Sequence, residues 1–135
     1  VNDNLVVVAS ESMYQVIAGR EIIIGATQII PDRVSINKTA SSISSSISMT
    51  HVANSLAIVN AVCWKGGMSS LDHFNWEGDS PNAVKTWFTL NTDSHNFATV
   101  GGYNLQSTAD TGRVYRAVAF GVSNPTVELC GAIWK

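Results

Sequence analysis

Apolar and polar positions alternate along much of this chain, and the alternation has a period of two. Val114, Arg116, Val118, Phe120 and Val122 share one side of an extended segment, while Tyr115, Ala117, Ala119 and Gly121 share the other. Residues 127–134 behave alike: Val127, Leu129, Gly131 and Ile133 face one way, and Glu128, Cys130, Ala132 and Trp134 face the other. Period-two patterning is the signature of strands, whose successive side chains point to opposite faces. Short runs rich in β-formers add to it: Leu5-Val6-Val7-Val8-Ala9, Ile22-Ile23-Ile24 and Leu56-Ala57-Ile58-Val59.

Two stretches admit a second reading. Ile43, Ser45, Ile47 and Met49 alternate with Ser44, Ser46, Ser48 and Thr50. This Ser-rich stretch reads as a strand with one buried face and one hydroxyl face rather than as a linker. With no Lys or Pro to block it, such a strand is also expected to offer an open edge for pairing. Val52, Leu56 and Val59 have helical spacing, but the β-branched Ile58, Val59 and Val62 running into Cys63-Trp64 favour a strand from about Leu56 to Trp64.

Turn signals separate these segments at steady intervals. They fall at Ala18-Gly19-Arg20, Pro31-Asp32, Asn37-Lys38, Gly66-Gly67, Glu77 to Asn82, Asn91 to Asp93, Ala109 to Gly112 and Ser123-Asn124-Pro125. The pattern predicts an all-β chain: a two-sheet antiparallel β-sandwich, jelly-roll or immunoglobulin-like, of about eight to ten strands. At 135 residues, without a linker-like stretch, it reads as one domain over 1–135.

Composition narrows the functional classes. Only 13% of residues are charged, against about 25% in an ordinary soluble domain. Four Lys and four Arg are scattered singly and the net charge is −2, which gives no basic footprint for nucleic acid. No apolar run approaches the roughly 18 residues of a membrane span. So few charges leave little to spread over a wetted surface, and further copies of the chain are the expected partners. The chain starts at Val1 without Met or a signal peptide, and so reads as a processed product or an excised fragment.

Candidate chemistry is sparse. His51, His73 and His95 lack zinc-ligand spacing, and no metal or cofactor is expected. Asp93-Ser94-His95 holds the residue types of a hydrolase triad, but neighbours on one turn do not assemble that geometry. The densest polar-aromatic segment runs from Leu71 to Asp79. Extended, it places His73, Asn75, Glu77 and Asp79 on one face and Phe74 and Trp76 on the other.

Three uses follow for that segment. Its oxygens offer a partial calcium site. Its amide and carboxylates suit sugar hydroxyls, with Trp76 or Trp87 stacking on a pyranose. Glu77 and Asp79 are spaced as a carboxylate pair. The bland alternative is a solvated face with Trp76 in the core. The candidate ligand-binding residues are therefore His73, Asn75, Trp76, Glu77 and Asp79, with no catalytic set.

Cys63 and Cys130 read either as two buried thiols or as one bridge. Asn37-Lys38-Thr39 matches the glycosylation pattern. The function expected is a non-enzymatic structural subunit of a self-assembling shell, fibre or filament, extracellular or on a virion surface. The alternative is a lectin-like carbohydrate- or receptor-binding module with a surface glycan as partner.

Overall fold

Eight strands in two antiparallel sheets make up the described chain. A computed structural model describes residues 30–66, 71–77, 83–89 and 95–135, with the backbone alone for 83–89 and 95–97. The runs Leu5–Ala9 and Ile22–Ile24, Asp79, Asp93-Ser94 and the Trp87 side chain lie outside the described residues. The strands are β1 (Arg33–Thr39), β2 (Ser44–His51), β3 (Ser55–Gly66), β4 (His73–Glu77), β5 (Ala83–Thr89), β6 (His95–Gln106), β7 (Asp110–Phe120) and β8 (Thr126–Trp134).

One sheet has five strands in the order β1-β8-β3-β6-β5, and the other has three in the order β2-β7-β4. The pairs β1·β8, β2·β7 and β3·β6 are nested, as in a long hairpin rolled over itself into two layers. The nesting stops there, because β5 pairs with β6 and not with β4.

Alternation decides what each sheet buries. From β2, Ser45, Ile47, Met49 and His51 point inward. Their facing layer is supplied by Val59, Ala61 and Cys63 of β3 and by Leu129 and Ile133 of β8. Each fully buried aliphatic side chain contributes about 1.5–3 kcal/mol. The sheets meet closely at Gly131, where a Cβ would stand 2.6 Å from Met49 Sδ and 2.8 Å from Ile47 Cδ1. The glycine lets Ile47 and Met49 reach the backbone of β8.

One expected turn moves, and one turn was not expected. The break read at Asn37-Lys38 lies inside β1, and the chain reverses at Ala40–Ser42, where Ser41 takes a φ of 55°. The Asn37 amide, read as a turn former, instead donates across to Ser46 O at 2.8 Å. A turn with no Gly or Pro joins β2 to β3, using Asn54 at a φ of 58°.

Among the described strands β2 stands at the edge of its sheet, as its pattern predicts. β1, the edge strand of the other sheet, sends side chains to it: Asn37 Nδ2 donates to the Ser46 carbonyl at 2.8 Å, and Thr39 Oγ1 donates to Ser45 Oγ at 2.9 Å.

The bridge reading of the cysteines fails on parity. β3 and β8 are neighbours, but Cys63 pairs with Val127 while Cys130 pairs with Asn60. Cys63 points into the core and Cys130 points out, and both are free. Burial pushes the Cys63 thiol up to about 11. Thiol titration of the dispersed chain should find Cys130 reactive in the native state and Cys63 only after unfolding. A denatured, unreduced sample with no titratable thiol would contradict this geometry.

Candidate functional site

The outer face of the three-stranded sheet carries the polar segment singled out above. In β4, Phe74 and Trp76 turn into the core, whereas His73, Asn75 and Glu77 are exposed. Register fixes their neighbours. His73 pairs with Phe120 and stacks on it, ring centroids 4.2 Å apart and 16° from parallel. Glu77 pairs with Arg116, and Arg116 pairs with Ser46, so one row crosses all three strands.

Arg116 reaches Glu77 Oε2 at 3.3 Å through one guanidinium nitrogen and Ser44 Oγ at 3.3 Å through the other. Half-exposed pairs of this kind contribute little to stability. They do leave a hydrogen-bonding stripe of hydroxyl, guanidinium and carboxylate groups. Asn75 Oδ1 is turned back onto the Trp76 backbone N–H at 2.9 Å, leaving the amide NH2 as its outward group.

Trp76 does not join this set. It is 8% exposed on the opposite side of the sheet, and its Nε1 has no hydrogen-bond partner. Its ring therefore cannot stack on a ligand lying over His73, Asn75 and Glu77. No group of three or more His, Cys, Asp or Glu able to hold a metal occurs among the described residues. The Glu77 carboxylate is engaged with Arg116 on an open sheet face.

Inside the sandwich lies a polar cluster that sequence reasoning missed. His51, Ser55 and Asn104 are each 1% exposed, and Tyr115 is fully buried. The Tyr115 hydroxyl lies 2.8 Å from His51 Nε2 and accepts from Asn104 Nδ2 at 3.2 Å. The other imidazole nitrogen, Nδ1, lies 3.4 Å from Ser55 Oγ, so both ring nitrogens have a hydroxyl partner. Extending the β2 alternation two places past Met49 puts His51 on the core face, and that is the signal in the sequence.

The cluster sits beside charge. Arg113 stands over the Tyr115 ring at 5.8 Å and pairs with Asp110 at 3.7 Å. Burial lowers the His51 pKa below 6.5, Arg113 lowers it further, and Asp110 opposes them. Burial likewise raises Tyr115, with the Asn104 hydrogen bond acting against the shift. His51, Ser55, Asn104 and Tyr115 are enclosed by the two sheets, so the cluster reads as structural.

The five-stranded sheet turns a different face outward. Register aligns Val34, Ala132, Ile58 and Tyr103 in one row. The next row holds Ile36, Cys130, Asn60 and Gly101. Large apolar side chains here are open to solvent: Ile36 is 74% exposed, Leu105 64% and Val34 61%. Lys38 and Glu128 pair at 2.8 Å, and Trp64 Nε1 donates to the same carboxylate at 3.4 Å.

The chain matches no family model, no curated protein and no solved structure. A functional reading therefore rests on the two outer faces and on the chemistry they display.

Proposed function

We propose that this chain is a non-enzymatic structural subunit that associates with copies of itself into a shell, fibre or filament, in an extracellular or virion setting. The observation that supports the reading is the outer face of the five-stranded sheet. Val34, Ile36, Tyr103 and Leu105 stand exposed together on it. Monomeric proteins rarely leave apolar patches beyond a few hundred Å² uncovered, and larger ones mark contact surfaces. The small share of charge in the sequence fits the same reading.

A second reading, a carbohydrate- or receptor-binding module, draws on the placement of His73, Asn75 and Glu77 on one exposed face. Serine hydroxyls flank them on β2. Its aromatic surface is then the His73–Phe120 pair rather than Trp76.

Mass photometry and light scattering of the purified chain, from nanomolar to tens of micromolar, separate the two. Self-association into a uniform larger species is the expected result. A stable monomer over the whole range would remove the structural reading, and glycan binding by that monomer would put the second in its place.

A further inference from the structure

We propose that the end of the sandwich where β2 turns into β3 and β6 turns into β7 is an acid-operated latch, which opens locally and as one unit when His51 takes up a proton. The latch belongs to the single chain and does not depend on self-association.

Topology brings the parts together. Residues 52–54 carry the chain from the three-stranded sheet to the five-stranded one, and residues 107–109 carry it back. Between these corners meets one side chain from each of four strands: His51 from β2, Ser55 from β3, Asn104 from β6 and Tyr115 from β7. His51 Nδ1 and Ser55 Oγ meet between the sheets at 3.4 Å, and Asn104 Nδ2 donates across to the Tyr115 hydroxyl at 3.2 Å. The 2.8 Å contact of His51 with Tyr115 couples the two crossings. The opposite end is tied by backbone: Ser42 N–H donates to Pro125 O at 2.9 Å, joining the β1–β2 turn to the β7–β8 turn. A peptide bond does not titrate near neutral pH, whereas an imidazole does.

The surroundings of His51 suit a neutral ring. β3 and β6 contribute the uncharged Ser55 and Asn104, and β7 contributes the Tyr115 phenol. The ionised neighbours are also on β7: Arg113, over the Tyr115 ring, and Asp110, opposite His51 in the register. Asp110 is already paired with Arg113 at 3.7 Å. An imidazolium here would be a buried cation beside a guanidinium, with the Asp110 carboxylate shared between them. Burying a charge without a partner of its own is costly, and opening to water relieves the cost.

Opening this end gives up little. Asn104 Oδ1 and Arg113 Nε are buried without hydrogen-bond partners, and water would supply both. The corner tips, residues 53–54 and 107–109, are exposed already, as segments of low opening energy are.

Hydrogen exchange of the full chain, read by mass spectrometry at pH 7.5 and 5.5, tests the latch. After correction for intrinsic exchange, opening at residues 49–57 and 103–113 should rise together by about ten-fold, the factor given by one proton that binds an open-state ring of pKa about 6.5 and not the closed one. Residues 127–133 should keep their protection. Cys63 should stay closed to dithiodipyridine at both pH values, which marks the rest of the sandwich as folded. His51→Gln should abolish the rise at both corners. In wild type the His51 ring NMR signal should titrate in step with the exchange, a readout that stands even if the variant fails to fold.

Unchanged exchange at the corners, a rise at one corner without the other, or the same rise in His51→Gln would overturn the latch. A rise throughout the chain with Cys63 reacting would replace it with global acid unfolding.

Discussion

Trp76→Ala will lower stability by about 3–5 kcal/mol, the cost of deleting a large buried aromatic. The ring is 8% exposed and belongs to the same buried cluster as Phe74 and Ala117, so its loss leaves a cavity that two sheets cannot close. Trp76→Phe should cost much less. It keeps most of the ring and removes the Nε1 donor that has no partner, a group whose burial without a hydrogen bond is itself unfavourable. Chemical denaturation of both variants checks the pair. An alanine variant as stable as wild type would return Trp76 to the surface and to a role in ligand stacking.

Acid will weaken the fold through His51. Its folded pKa lies below 6.5, first through burial and then through the Arg113 guanidinium. The unfolded chain therefore binds the proton more readily than the folded one. The stability contributed by neutral His51 is fully present above pH 6.5 and is lost as pH falls through the folded value.

Tyr115→Phe isolates the cluster from the rest of the fold. It removes the hydroxyl shared by His51 and Asn104 and should cost about 1–3 kcal/mol for the buried groups left unpaired. Thermal melts between pH 7.5 and 5 should show the midpoint falling for wild type. In a His51→Gln chain, which cannot take up a proton, the fall should be shallower. Parallel pH profiles for the two proteins would assign the acid sensitivity to other groups.

The strands were legible wherever alternation was strict. In β2 and β8 the buried and exposed sides follow the parity of the sequence, and in β7 they do so except at Val118, which is buried on the outer side; a sandwich strand must hide one face, and period two leaves a single way to do it. The polar face of β4 was legible for the same reason: His73, Asn75 and Glu77 share a side whichever way the strand turns. Parity does not say which side meets the core. Phe74 and Trp76 settle that together, as a pair of large rings on the other side, and so Trp76 leaves the candidate site.

What escaped depended on partners distant in sequence. Cys63 and Cys130 occupy adjacent strands, yet the register that sends them to opposite faces is a property of the β3·β8 pairing. Asn37 looks like a turn former, but its amide is used on Ser46 of the next strand. His51 looks like a surface histidine until Tyr115, 64 residues away, is brought to it.

The position of β8 bears on how the molecule comes to be folded. Its pairs with β1 join residues between 88 apart, at Thr39 and Val127, and 100 apart, at Arg33 and Ile133. Yet β8 lies between β1 and β3. Among the described strands, β1 has no backbone partner in its sheet until residues 126–134 have emerged. Such non-local pairing makes β-sandwiches slow folders, on the scale of milliseconds to seconds. Meanwhile the apolar rows of β3 stand open on both faces, at the stage when aggregation competes with folding. β8 is the strand that joins β1 to the rest of the five-stranded sheet, so the yield of native protein should depend on it more steeply than its nine residues suggest.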